Sequence, residues 1–118
     1  MLNEIVSSSK VYIVTGYTDM RKGIDGLAQI IGGKYEHDIY SKSIYLFCGR
    51  SCSKIKGLVW DEDGFLLLYK RLENGSFKWP GSEEDVRLLT QQQLRWLLEG
   101  LDIEQRKAIK AGKQGVFY

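Results

Sequence analysis

Histidine, cysteine and long apolar runs are scarce in this 118-residue chain, and each scarcity removes a class of function. No apolar stretch approaches the ~20 residues that a membrane-spanning helix needs, and the opening MLNEIVSSSK is too polar and too short for a secretory leader. The expected location is the cytoplasm, with no membrane partner. Cys48 and Cys52 have no second Cys or His pair beside them to complete a four-ligand zinc site, so they read as reduced thiols, and neither a metal nor a cofactor is expected. The single histidine, His37, sits between Glu36 and Asp38 and reads as a solvated loop imidazole. The chain also lacks a Ser or Cys nucleophile with a partnered base, a GxxxxGK phosphate loop and an HExxH pair. Enzymatic activity and a small-molecule substrate are therefore not expected.

What is present is an ordinary globular composition, 43% hydrophobic and 12% aromatic, at a length that buries a core without metal or disulfide staples. The expected organisation is one domain over residues 1–103 and a flexible basic tail over 104–118. The formal net charge is only +2, but it is unevenly spread. The tail sets Arg106, Lys107, Lys110 and Lys113 against Glu104 alone. Residues 42–71 set six cations against Asp61, Glu62 and Asp63, whereas residues 72–103 set three cations against six carboxylates. Such segregation permits a basic face toward a polyanion, and solvated lysines on a hairpin are the plainer alternative.

The pattern of residues predicts an α+β fold in which a small antiparallel β-meander packs with two main helices. KVYIVT (10–15) is β-branched and aromatic and reads as a strand ended by Gly16. Thr18 or Asp19 can cap a helix whose residues Ile24, Leu27, Ala28 and Ile31 share one face, with Gly32 and Gly33 as its stop. IYLFC (44–48) reads as a strand, and a turn at 49–53 leads into KIKGLVW, the acidic turn at 61–63 and FLLLYKRL. Because residues 65–72 are apolar on both parities, that strand is expected to lie at the centre of the sheet, buried on both faces. Asn74-Gly75 is a tight-turn pair, and residues 76–79 would return as a short last strand ended by Pro80. Thr90 and Gln93 have the spacing of a capping box, Leu89 can staple against Leu94, and Leu94, Leu97, Leu98 and Leu101 form an apolar stripe closed by Gly100.

Three features bear on chemistry. In TDMRKG (18–23) the cations Arg21 and Lys22 would stand in the first turn of a helix, beside free backbone N–H groups, which together make a phosphate site. The alternative is an ion pair of Arg21 with Asp19, Asp25 or one of the carboxylates at 61–63, which fixes a loop and binds nothing. Lys54 and Lys56 share a strand parity, and with Arg50, Lys70 and Arg71 they could track nucleic-acid phosphates. Trp60, Tyr69 and Trp79 could stack on bases, although aromatics at strand spacing are more often core. The third feature, the carboxylates at 61–63, would diverge from a turn rather than hold two metal ions, and reads as a hairpin turn that pairs with those cations.

These residues carry a resemblance. VYIVTGYTDMRKGIDGLAQII, then IYLFCGRSCSKIKGLVWDEDGFLLLYKRLENGSFKWP, then LTQQQLRWLLEGLD, over about residues 10–102, resemble the small TnpB accessory proteins, also called Orf2, of bacterial insertion sequences of the sixty-six family. That family is distinct from the much larger RNA-guided nucleases that share the TnpB label. Its members often carry a more basic loop near Arg50, where this chain has Ser51-Cys52-Ser53. The resemblance implies a non-enzymatic role in moving a mobile element. The expected partners are DNA at the element ends, contacted through Arg21, Lys22, Arg50, Lys54, Lys56, Lys70 and Arg71, and the transposase with its companion protein. A protein-interaction module that never touches DNA is the other reading.

Overall fold

The structure is a computed structural model and describes residues 9–81 and 83–104. Apart from Glu104, the basic tail expected over 104–118 lies outside the described residues. Five strands form one sheet: β1 (Lys10–Val14), β2 (Ser43–Cys48), β3 (Lys54–Asp61), β4 (Gly64–Arg71) and β5 (Val86–Leu89), in the order β4-β3-β2-β1-β5. β1 and β2 run parallel and the other neighbours antiparallel. The meander is thus β2-β3-β4, inside an α+β fold whose one parallel pair needs a crossover. Residues 15–42 supply it, with helix α1 (Ile24–Gln29) and a π-helical turn (Ile30–Lys34).

Strand alternation divides the core into two layers. Val14, Tyr45, Phe47 and Leu58 point toward α1, where Leu27 and Ile31 are fully buried against them. Each such aliphatic side chain contributes about 1.5–3 kcal/mol by leaving water. Val11, Ile13, Ile44, Leu46, Cys48 and Ile55 point the other way, onto Phe77, Trp79 and helix α2 (Gln91–Leu98). β2 therefore feeds both layers, and all six of its residues are buried.

This placement corrects the expectation for residues 65–72. β4 is the edge strand, with Leu66 41% and Tyr69 54% exposed. The physical reason is valence: a strand has two edges, and those of β2 are taken by β1 and β3. The β3–β4 hairpin can then only extend the sheet outward. Apolar residues on both parities mark a central strand in IYLFC, and in β4 they leave apolar surface in the open.

The return strand expected at 76–79 does not form either. That segment crosses the α2 face without strand pairing, and its backbone is tied by Phe77 N–H to Cys52 O (2.7 Å). Trp79 is buried, with its indole N–H shared between Val14 O (3.1 Å) and Gly16 O (3.0 Å). The fifth strand comes later. β5 joins the free edge of β1, drawn there by Asp85 N–H to Thr15 Oγ1 (2.8 Å) and Thr15 N–H to Asp85 O (2.8 Å).

α2 begins and ends as its residues dictate. Gln93 N–H donates to Thr90 Oγ1 and Thr90 N–H to Gln93 Oε1, both at 3.0 Å, a complete capping box. Leu89 and Leu94 lie in the same apolar layer, as a hydrophobic staple requires. At the other end Gly100 takes φ +82°, with Gly100 N–H on Leu97 O and Leu101 N–H on Trp96 O, the two bonds of a Schellman motif. Leu94 and Leu97 are buried, whereas Leu101 lies past the helix and is 44% exposed. α1 starts later than expected. Gly23 is its N-cap, with no side-chain cap, and the π-helical turn runs through Gly32 and Gly33 to Lys34 rather than stopping before them.

Candidate nucleic-acid interface

Because α1 starts at Ile24, Arg21 and Lys22 lie in the loop before it and not in its first turn, which removes the helix-dipole argument for an anion site there. Asp19 closes that loop instead. Its carboxylate accepts Arg21 N–H (2.9 Å) and pairs with the Arg21 guanidinium (2.8 Å). The Arg21 hydrogen bonds hold the Asp19 carboxyl well below the usual carboxylate range. Of the partners weighed for Arg21, Asp19 is the one taken.

The loop sits over the end of the sheet where β2 turns into β3. Thr18 N–H donates to Cys48 O (2.8 Å), and Met20 packs into the α1-side layer. Gly49 makes this possible, since a Cβ at that position would stand 2.7 Å from Met20 Cγ. From β3, the Lys56 ammonium reaches up and donates to Met20 O (2.7 Å) and Lys22 O (2.9 Å). The positive end of the side chain is thereby fixed, 5.8 Å from the Tyr69 ring centroid.

Beside this tie lies an open groove of about 410 Å³, lined by Tyr17, Thr18, Asp19, Met20, Gly49, Arg50, Ser51 and Lys54. Arg50 stands 5.9 Å from the Tyr17 ring centroid, a cation–π distance. Tyr17 is 45% exposed. Lys54 is opposite Arg71, and Lys56 opposite Tyr69, in the β3–β4 register, so these four share the α1 face. Arg71 pairs with Glu73 at 3.0 Å on the surface. Lys70 is opposite Ile55 and so belongs to the other face. Six of the seven cations singled out in the sequence thus come to one corner, and Lys70 does not. No carboxylate of the described residues pairs with Lys22, Arg50, Lys54 or Lys70.

The acidic turn is elsewhere. Asp61 pairs with Gly64 at one end of the hairpin and Lys54 with Arg71 at the other, so the carboxylates at 61–63 do not meet these cations, contrary to expectation. The seven intervening steps of ~3.4 Å hold the two charges apart. His37 is not simply solvated: it is half-buried, edge-on to the rings of Tyr12 (5.5 Å) and Tyr45 (6.0 Å). Cys48 is buried, and burial first, with Cys52 nearby second, pushes its thiol up to about 12. Trp79 belongs to the core, and Trp60 packs against Tyr40 and Phe65. Tyr17 was not legible as a site residue. Only its adjacency to TDMRKG pointed toward it.

Fold and site together define a small α+β protein with one mixed sheet and a cationic corner formed by a loop and a strand. The family model described as IS66 Orf2-like protein matches residues 9–108, and the chain belongs to that family, whose members are transposition-associated accessory proteins and not a known enzyme class. It is similar to two uncharacterized proteins of Sinorhizobium fredii (strain NBRC 101917 / NGR234). To y4hO it is 37% identical over 93 residues, 79% of this chain and 81% of that protein. To y4jC it is 28% identical over 93 residues, 79% of this chain and 80% of that protein. No solved structure matches the chain. Among the described residues no helix is long and apolar enough to cross a membrane.

Proposed function

We propose that this protein is a non-enzymatic accessory protein of transposition that works in the cytoplasm by binding DNA at the element ends through its cationic corner. The observation that carries the reading is the placing of Arg50 and Lys54 on one groove, with Lys56 on the same strand face, Tyr17 and Tyr69 beside them, and no carboxylate of the described residues pairing with Arg50 or Lys54. Ammonium and guanidinium groups on a rigid strand track phosphates, and neighbouring rings add stacking surface. Arg21 and Arg71, each already paired with a carboxylate, take a lesser part. Lys70 faces away and serves as an internal control. An electrophoretic shift with duplex DNA of the element ends at low salt tests the reading. Binding that falls on Arg50→Glu or Lys54→Glu and survives Lys70→Glu supports it; no shift at low salt refutes it.

A second reading, docking on the transposase or its companion protein, is favoured by apolar side chains left exposed on β5 and past the end of α2, Leu88 at 54% and Leu101 at 44%. Retention of either protein by this chain in the absence of DNA, lost on Leu88→Lys, distinguishes it.

A further inference from the structure

Over residues 64–69 the free edge of β4 has the features of an interface and lacks the usual protections against one, its own charges, Lys70 and Arg71, standing together at one end. Over residues 64–69 it reads GFLLLY, with no proline and no charge, and its register with β3 is unbroken by a bulge for all eight residues. Natural edge strands are normally blunted by such devices. No described strand covers this one, and Leu66 and Tyr69 are exposed along it.

The occupant follows from the charge at the two ends. β4 begins beside the exposed Asp63 and ends at the exposed Arg71. An antiparallel strand that reverses this order would satisfy both ends at once, and a second copy of β4 is such a strand. We propose that two copies of this chain pair β4 to β4 about a two-fold axis at Leu67, making one continuous ten-stranded sheet. A continuous sheet keeps each face together, so only same-parity residues can oppose one another. Centred on Leu67, the pairing sets Asp63 against the partner's Arg71, Phe65 against the partner's Tyr69 and Leu66 against the partner's Leu68. These are an ion pair, an aromatic pair and an aliphatic pair, each occurring twice by symmetry. Shifting the centre to Leu68 opposes Asp63 to the partner's Glu73 and loses the match. Arg71 would exchange or share its present partner Glu73, an exposed contact of small worth.

The pairing stands without the DNA reading. Where that reading also holds, the two-fold puts both cationic corners on one face, about 30 Å apart at ~3.4 Å per residue and ~4.8 Å between strands. One turn of duplex DNA is ~34 Å.

Sedimentation equilibrium of the full chain without DNA tests the dimer. The expected result is a reversible species of twice the 13.5 kDa chain mass. Asp63→Arg and Arg71→Asp should each weaken it about tenfold, because each puts like charges together twice. The double variant should restore it, and Leu66→Lys should abolish it. All three positions are exposed, so circular dichroism should stay unchanged. A wild-type monomer at submillimolar concentration, or a double variant no stronger than the singles, overturns the proposal. Failure of DNA binding leaves every one of these readouts in place.

Discussion

Lys56 ties the loop before α1 to the sheet and, in the proposed DNA reading, also lends its charge to the interface. Its ammonium closes two carbonyls of the loop at 2.7 and 2.9 Å, and those carbonyls belong to the residues flanking Arg21. Lys56→Met is expected to lower stability by about 1 kcal/mol in urea unfolding, the net worth of such bonds at a half-buried site. The same change should weaken DNA binding more than loss of one charge alone, since the loop it holds carries Lys22. Cys48 illustrates the opposite case, a reactive group made inert. With its thiol moved from 9.0 to about 12 by burial, Cys48 should resist alkylation at mild alkaline pH while the half-buried Cys52 reacts, as peptide mapping after iodoacetamide would read. The linkage has a definite sign. The folded state keeps the Cys48 proton where the unfolded chain loses it, so this stabilisation is full below pH 9 and is lost as pH rises toward 12. Cys48→Ala should flatten that part of the pH profile.

Among the elements, α2 was written most plainly in the sequence and is the easiest to weaken from its end. Thr90→Ala removes one half of the capping box and should cost about 1 kcal/mol in denaturant unfolding, with Thr90→Ser near neutral. Caps, staple and Schellman glycine are local, so the spacing of Leu89, Thr90, Gln93 and Gly100 was enough to read them. β4 was legible as a strand but not as an edge. Its apolar residues on both parities say how many faces could be buried and nothing about which neighbours arrive, and that depends on the parallel β1–β2 pair closed by α1. β5 was not legible at all. It has four residues, its Leu88 faces solvent, and Leu89 also fits the hydrophobic staple of α2. In the loop before α1, Asp19 looked like a helix cap, because an Asx turn and an N-cap use the same side chain for the same kind of bond.

At the scale of the whole molecule, the β3–β4 hairpin sorts charge along its length, with acid at its turn and cations at its open end. Which residues were cationic could be read directly. Which of them share a face could be read only in part, since parity relates Lys54 to Lys56 but the pairing with β4 is needed to place Arg71 with them and Lys70 against them. Which cations were already engaged could not be read, as the Arg21–Asp19 and Lys56–carbonyl contacts depend on where the loop lands. In the proposed DNA interface Arg50 and Lys54 are therefore the principal phosphate contacts, and Lys70 takes no part. The most direct measurement is the salt dependence of binding to duplex DNA of the element ends, read by fluorescence anisotropy. Each of Arg50→Ala and Lys54→Ala should weaken binding and reduce the slope of log K against log salt by about 1, while Lys70→Ala leaves the slope unchanged. Equal slopes for all three variants, or no binding by the wild-type chain at low salt, would contradict the account.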